Sequence, residues 1–319
     1  MARRRVDVPA LVEAARGGSP RAVARLITLV ESAHPALREV MAALAPHTGK
    51  ARIIGLTGSP GVGKSTTTNV LVKAYRERGA RVGVLAVDPS SPFSGGALLG
   101  DRIRLVDHAL DPEVYMRSMA SRGHLGGLSW STPQALRVLD AAGCDVIFLE
   151  TVGVGQSEVD VAGLADTTVV LLAPGMGDGI QAAKAGILEI GDVFVVNKAD
   201  RDGANSTVRD IRGMISLGDR TEPGLWRPPV EKLVAEQGEG VDDVMEALDK
   251  HLAWMEEHGV LQERRVKRAA DEIEAIALRT LRMRMGNVRD GSDVDSLAGE
   301  VVAGTTDPYT AADTLVASI

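Results

Sequence analysis

Residues 53–66 read Ile-Ile-Gly-Leu-Thr-Gly-Ser-Pro-Gly-Val-Gly-Lys-Ser-Thr, an apolar run followed by a glycine-rich turn and a lysine. From Gly58 to Ser65 the chain fits the pattern Gly, four residues, Gly-Lys-Ser/Thr. Glycines let a backbone curl so that several N–H groups converge on a polyphosphate without side-chain clashes. The apolar run predicts a strand, and the helical spacing after the loop predicts a helix that ends before Gly79. The stretch therefore predicts a phosphate-binding loop rather than a chance glycine-rich turn.

Two side chains of this loop have predicted roles. Lys64 is expected to reach the β- and γ-phosphates, and the Ser65 hydroxyl is expected to ligate Mg²⁺ at the start of a helix whose dipole also favours anions. The predicted nucleotide-binding residues of the loop are Gly58, Ser59, Pro60, Gly61, Val62, Gly63, Lys64, Ser65 and Thr66.

The composition of the 319 residues is that of an ordinary folded globule, with 45% hydrophobic and 25% charged residues. A formal net charge of −7 argues against a general binder of nucleic acid or of anionic membranes. The single cysteine, Cys144, excludes an internal disulfide, and its place beside an apolar strand predicts a core thiol. We find no 18-residue apolar stretch and no signal peptide, so we expect no membrane span and a cytoplasmic location.

Segments with strand and helix character alternate after residue 50, which predicts a doubly wound, mostly parallel α/β sheet with helices on both faces. The predicted strands are 52–57, 81–87, 114–116, 145–149, 167–173, 193–197 and 230–234. The predicted helices between them are 65–78, one that begins near Thr132, 179–190 and 206–215. The Ala-rich residues before the first strand have apolar residues at helical spacing, so we expect amphipathic helices packed on the main domain.

Asn197-Lys198-Ala199-Asp200 follows directly on the apolar strand 193–196. A carboxylate at Asp200 can accept from both the ring N1–H and the exocyclic amino group of guanine, whereas adenine offers no such pair of donors. The short pattern gains weight because it follows a phosphate-binding loop and ends a buried strand. We therefore predict that Asn197, Lys198 and Asp200 select guanine, the alternative being that Asp200 is a turn or cap residue.

Glu150 ends the apolar strand 146–149 and leads into Thr151-Val152-Gly153. In phosphate-loop NTPases an acidic residue here holds Mg²⁺ directly or through water, and the following glycine N–H approaches the γ-phosphate. Asp88 and Asp101, after the second strand, could join the metal shell, although solvation or capping is an open alternative for each carboxylate. The predicted metal ligands are Ser65, Asp88, Asp101 and Glu150, and the predicted catalytic residues are Lys64, Glu150 and Gly153.

Position 154 predicts slow hydrolysis. Small signalling GTPases place a water-orienting glutamine directly after this glycine, but here the residue is Val154, and Gln156 comes two places later. Valine cannot orient a water molecule. We expect a partner or a moving loop, with Gln156 as a switch residue, to complete the site.

A longer set of motifs extends the phosphate loop. These are Gly58–Thr66, Val87–Ser91, Leu99–Arg102, Arg117–Ala120, Arg122–Leu128, Glu150–Ser157 and Asn197–Asp200. Together they resemble the methylmalonyl-CoA mutase-associated GTPases, known in bacteria as MeaB proteins and in some cases labelled lysine/arginine/ornithine transport ATPases or kinases. The resemblance covers roughly residues 10 to 290.

The resemblance implies a G-protein chaperone that binds adenosylcobalamin-dependent methylmalonyl-CoA mutase, gates cofactor delivery and protects the mutase. It implies GTP or GDP as ligand with Mg²⁺, and a homodimer built through a C-terminal arm. It also implies a partner-responsive switch running from Pro174 to Lys184, including Asp178. The last guanine-contact loop is expected near Leu233, with contacts from Val234, Ala235 and Glu236.

The predicted division of the chain is an N-terminal helical extension, 1–50, a P-loop GTPase domain, 51–258, and a C-terminal helical dimerisation arm and tail, 259–319. Helical spacing places Val266, Ala269, Ile273, Ile276, Ala277 and Leu281 on one stripe of the arm. That stripe could mediate self-association or pack on its own domain.

Two other functions stay open at this point. One is a kinase of a transport-related acceptor protein, which would need ATP and an acceptor site beside the γ-phosphate. Asn197–Asp200 argues against ATP. The other is a binding switch with negligible turnover.

Overall fold

The computed structural model describes residues 6–88, 108, 110–120, 130–151, 157–175, 187–217, 224–284 and 292–317. The chain forms two compact units, Met1–Arg264 and Arg265–Ile319. Within the described ranges, no helix has the length and apolar character needed to cross a membrane.

Unit one is built on a parallel sheet whose described strands lie in the order β3-β2-β4-β1-β5-β6-β7. The strands are β1 Arg52–Thr57, β2 Val82–Asp88, β3 Val114–Ala120, β4 Val146–Thr151, β5 Thr167–Leu172, β6 Val193–Asn197 and β7 Val230–Leu233. Every pairing between them is parallel. This confirms the predicted doubly wound α/β fold, and it brings the carboxyl ends of β1, β4 and β6 to one edge, where such sheets bind ligands.

The helices of unit one pack on both faces of this sheet. They are α1 Val8–Arg16, α2 Pro20–Glu31, α3 Leu37–Leu44, α4 Lys64–Glu77, α5 Thr132–Ala141, α6 Ser157–Leu164, α7 Ile187–Ile190, α8 Ala204–Leu217 and α9 Val241–Glu257, followed by α10 Val260–Arg284, which continues into unit two. One apolar cluster joins α4 and α9 to one face. Another joins α1, α2, α3, α5 and α6 to the opposite face.

The N-terminal residues form the amphipathic helices that the sequence predicts. Asp7 and Ser19 accept hydrogen bonds from the first turns of α1 and α2, and each helix carries a proline there. Leu26 and Val30 are fully buried in the same cluster as Leu85 and Leu139 of the α/β core. These helices therefore pack on the α/β core, while the boundary at residue 50 stays a prediction.

Strand β3 is longer than the predicted 114–116. Arg117 and Ser118 interrupt its apolar pattern, so the sequence signal stops early. Arg117 is accommodated because its guanidinium donates to Glu31 of α2 at 2.7 Å. Of the predicted helix 179–190, only residues 187–190 lie among the described residues. Cys144 is buried as predicted, and burial raises the pKa of its thiol above the ordinary value.

Unit two consists of the remainder of α10 with two further described helices, α11 Ser292–Val302 and α12 Pro308–Ala317. Several apolar side chains of α10 are exposed, among them Val266 at 57%, Ile273 at 68% and Leu281 at 53%. An apolar stripe of this kind on a charged helix is typical of an association surface.

Candidate nucleotide-binding site

The loop between β1 and α4 has a backbone that only glycine can adopt without strain. Gly58 has φ +143°, and a Cβ atom there would lie 2.4 Å from the carbonyl oxygen of Leu171 in β5. Gly63 has φ +95°, and its Cβ would lie 2.3 Å from Nδ2 of Asn197. The loop therefore lies tightly against β5 at Gly58 and against the Asn197 side chain at Gly63, and a side chain at either glycine would require its neighbour to shift.

Lys64 begins helix α4 and is buried. Its ammonium donates to the carbonyl oxygens of Gly58 at 2.6 Å and of Ser59 at 3.1 Å, so the charge lies inside the curl of the loop. Helix α4 has Gly63 as its N-cap, and no side chain in the described part of the chain caps its start. The first amides of the helix and the lysine together form a positive concavity suited to an anion.

Asn197 connects the loop to two other segments. Its Nδ2 donates to the Val62 carbonyl at 2.8 Å, and its Oδ1 accepts from the Ala235 amide at 3.1 Å. Lys198 donates to the Gly61 carbonyl at 2.7 Å and has φ +56°, a conformation that is uncommon for a residue with a side chain. The structure thus places the predicted guanine-selecting segment against the phosphate loop and beside the loop that contains Ala235.

The predicted base-contact residues differ in exposure. Val234 and Ala235 are buried, whereas Asp200 and Glu236 are exposed at the same carboxyl edge of the sheet. Asp200 lies in a turn closed by a hydrogen bond from the Arg201 amide to the Lys198 carbonyl at 3.0 Å. An exposed carboxylate in a fixed turn is available to a ligand, which agrees with the predicted role of Asp200.

Ser65 and Glu150 meet although they are far apart in the chain. The Ser65 hydroxyl donates to Oε1 of Glu150 at 2.6 Å, and Glu150 is only 3% exposed. Asp88 is the last residue of β2, and the neighbouring strand β4 ends one residue after Glu150. Because β2 and β4 are parallel, the backbone of Asp88 lies at the same carboxyl edge of the sheet as Glu150. Hydroxyl and carboxylate oxygens are the donors that Mg²⁺ prefers, so this pair fits the ion.

Other predicted residues lie outside the described ranges, namely Asp101, Gly153, Gln156, Asp178 and Lys184. The side chain of Asp88 lies outside them too. Among the residues that are described, no group of three or more His, Cys, Asp or Glu side chains is placed to hold a metal ion. The described part of the predicted magnesium shell is therefore the Ser65–Glu150 pair.

Thr68 is a site residue that the sequence patterns do not predict. This residue is 1% exposed, and its Oγ1 lies 3.3 Å from Oε2 of Glu150. Its signal in the sequence is its position three residues after Ser65, which puts both hydroxyls on one side of α4.

Comparison with known proteins supports the nucleotide assignment. A family profile described as Methylmalonyl Co-A mutase-associated GTPase MeaB matches residues 23–289. The chain belongs to the MeaB family. It is a P-loop GTPase, and its GTPase homologues imply that it binds GTP and GDP.

Individual relatives of this MeaB family member span bacteria, archaea and a mammal. A Pyrococcus abyssi relative that carries a GTPase name is 46% identical over 97% of this chain and 96% of its own. GTPase ArgK of Escherichia coli is 36% identical over 80% of this chain and 79% of its own. The methylmalonic aciduria type A homolog of Mus musculus, labelled mitochondrial, is 37% identical over 78% of this chain and 64% of its own.

One solved structure resembles the whole MeaB chain. It is a crystal structure of a protein named LAO/AO transport system kinase, with a TM-score of 0.70 and 25% identity over 99% of this chain and 98% of the other. The likeness includes the parallel sheet that carries the nucleotide site.

Proposed function

We propose that this chain is a Mg²⁺-dependent GTPase that acts as a G-protein chaperone of adenosylcobalamin-dependent methylmalonyl-CoA mutase. In this proposal the nucleotide state gates cofactor delivery and protects the mutase, and the protein works in the cytoplasm. The observation that carries the proposal is the family profile matched across residues 23–289. The name of the mouse relative, which refers to methylmalonic aciduria, supports the same assignment.

The chemistry proposed for the site is attack of water on the γ-phosphate of GTP. Lys64 lies inside the loop, where it would neutralise charge on the β- and γ-phosphates. Ser65 and Glu150 would hold Mg²⁺, with Asp88 and Asp101 as the further proposed ligands, and the ion would neutralise the same phosphate tail. The Gly153 amide is proposed to contact the γ-phosphate. Phosphoryl transfer needs such positioning and charge neutralisation more than covalent chemistry.

Guanine selection is assigned to the Asn197–Asp200 segment. The Asn197 side chain donates to the Val62 carbonyl and accepts from the Ala235 amide, so hydrogen bonds connect the phosphate loop to both base-contact loops. Asp200 is proposed to accept from guanine, with Val234, Ala235 and Glu236 forming the neighbouring contact.

Turnover of the isolated protein is expected to be slow, because Val154 occupies the position of the water-orienting glutamine of small GTPases. Binding of the mutase is proposed to complete the site through the segment that contains Asp178, Lys184 and Gln156. The rate of steady-state phosphate release, measured with and without the mutase, tests both the slow intrinsic turnover and its stimulation. Many turnovers per second without a partner would contradict it.

The C-terminal arm is proposed to form a homodimer through the exposed apolar residues of α10. Val266, Ile273 and Leu281 recur near every seventh position, and all three are exposed. Analytical ultracentrifugation is expected to find a dimer. A monomer across a wide range of concentrations would contradict the dimer.

The direct test of the chaperone assignment is a pull-down from cell extract with the protein loaded with GDP or with a non-hydrolysable GTP analogue. Methylmalonyl-CoA mutase is expected to be retained, and to a different extent with the two nucleotides. Equal retention, or none, would contradict nucleotide-dependent chaperone action.

A kinase of a transport-related acceptor is the second candidate, because the protein with the similar solved structure is named a transport system kinase. Transfer of the γ-phosphate to an acceptor protein, rather than its release as inorganic phosphate, would favour the kinase. The guanine-selecting segment favours the GTPase.

A further inference from the structure

Glu150 is buried, so each of its two carboxylate oxygens needs a hydrogen-bond donor in place of water. It is 3% exposed, and its Oε1 accepts from Ser65 at 2.6 Å. A buried carboxylate is costly unless hydrogen bonds replace its water. Glutamate also has one more rotatable bond than aspartate, so holding its carboxylate in one place requires more restraint.

Thr68 contacts the other oxygen. Its Oγ1 lies 3.3 Å from Oε2 of Glu150 and 3.0 Å from the carbonyl oxygen of Lys64, one turn earlier in α4. A threonine hydroxyl has one proton, so these two acceptors share it. The carboxylate is favoured by charge, since hydrogen bonds to ionised groups are about twice as strong as neutral ones.

We propose that Thr68 is a positioning residue for the magnesium site, acting through Glu150. This inference rests on the proposed function, because it assigns the Ser65–Glu150 pair to Mg²⁺. Ser65 and Thr68 stand on one face of α4 and hold the two carboxylate oxygens between them, which fixes the rotamer of Glu150. Ser65 can keep this hydrogen bond while it offers a lone pair to a cation, because a hydroxyl has one proton and two lone pairs.

The chain offers a matched control in the preceding residue. Thr67 lies on the same helix and is fully buried, and its hydroxyl has no hydrogen-bond partner among the residues that the structure describes. Thr67→Val and Thr68→Val therefore make the same chemical change at two buried positions of one helix, and only Thr68→Val removes a contact to Glu150. Thr68→Ser keeps the hydroxyl and should restore the wild-type behaviour.

The experiment is calorimetric titration of GDP into the full chain, once with saturating Mg²⁺ and once with EDTA. The ratio of the two affinities measures the contribution of the ion without reference to catalysis. We expect Thr68→Val to reduce this ratio about 10-fold, the usual effect of removing a residue that orients a metal ligand, with the affinity in EDTA unchanged. Thr67→Val and Thr68→Ser should match the wild type.

A wild-type ratio in Thr68→Val, or an equal reduction in Thr67→Val, would overturn the positioning role and leave the GTPase assignment intact. If the wild-type chain bound GDP equally with and without Mg²⁺, the magnesium proposal and this inference would both be overturned. Should Thr68→Val fail to fold in a thermal melt, Thr68→Ala carries the same expectation.

Discussion

The carboxyl ends and the amino ends of the parallel strands form two opposite edges of the central sheet, and polar groups have different roles at each. At the carboxyl edge, rare backbone conformations and backbone carbonyls shape the site, as at Gly58, Gly63 and Lys198. At the amino edge, side chains form ion pairs on ordinary backbone. Arg264 makes two hydrogen bonds to Asp192, at 2.8 and 2.9 Å, and Asp192 also accepts from the Thr168 amide.

This difference separates function from stability within one domain. At the amino edge, Arg264 and the Thr168 amide already occupy the oxygens of Asp192, so this carboxylate has little capacity left for a ligand. Burial alone would lower the pKa of Arg264, but its hydrogen bond to Asp192 and the nearby negative charge raise it above the ordinary value. At the carboxyl edge, Lys64 and the Ser65–Glu150 pair lie at the glycine-rich loop between β1 and α4. This arrangement suits a charged ligand.

The largest expected effect comes from a substitution in the phosphate loop at the carboxyl edge. Gly58→Ala adds a Cβ that meets the Leu171 carbonyl at 2.4 Å in a left-handed conformation, so the free energy of unfolding should fall by about 3 kcal/mol. At Gly61, φ is +79° and no atom of the described residues lies within 4 Å of an added Cβ, so Gly61→Ala should cost only about 1 kcal/mol. Urea unfolding of both variants measures the difference. Equal losses would mean that the loop is not held against β5.

The second effect changes base choice at the same edge. Asp200→Asn replaces an acceptor of two guanine N–H groups by an amide, so GDP affinity should fall about 100-fold, or about 2.7 kcal/mol. Calorimetry with GDP and ADP measures the selectivity, and thermal stability should be unchanged because Asp200 is exposed. An unchanged preference for GDP would remove Asp200 from the specificity assignment.

The smallest effect concerns the amino edge. Arg264→Met removes the arginine partner of the buried Asp192, which keeps His251 at 3.4 Å. We expect a loss of about 2 kcal/mol, less than for a fully buried pair because the Arg264 side chain is 36% exposed. Arg78→Met, which breaks an exposed pair with Asp249, should cost less than about 1 kcal/mol. Denaturant unfolding measures both losses, and GDP affinity should not change in either variant. Weaker GDP binding in Arg264→Met would contradict the separation of the two edges.

The sequence predicts most of the sheet because its strands are short apolar runs with glycine, asparagine or charged residues beside them. Strands β1 and β6 have the predicted bounds, 52–57 and 193–197, for this reason. The predicted strand at β3 is too short because the partner that accommodates Arg117 lies in α2, which a local pattern cannot detect.

The site is predictable from the sequence where a residue belongs to a fixed spacing, as Lys64, Ser65 and Asn197 do. Thr68 belongs to no such pattern, and its partner Glu150 is 82 positions away in the chain. The bridge made by Asn197 between Val62 and Ala235 likewise depends on the order of strands in the sheet, which a sequence pattern does not specify.

Binding of a guanine nucleotide by the loop between β1 and α4, together with the segment after β6, underlies every functional assignment made for this chain. The decisive measurement is calorimetric titration of the full chain in Mg²⁺ with GDP, a non-hydrolysable GTP analogue and ADP. We expect one site that binds both guanine nucleotides and discriminates against ADP. Binding of neither guanine nucleotide, or equal binding of ADP, would contradict the assignment.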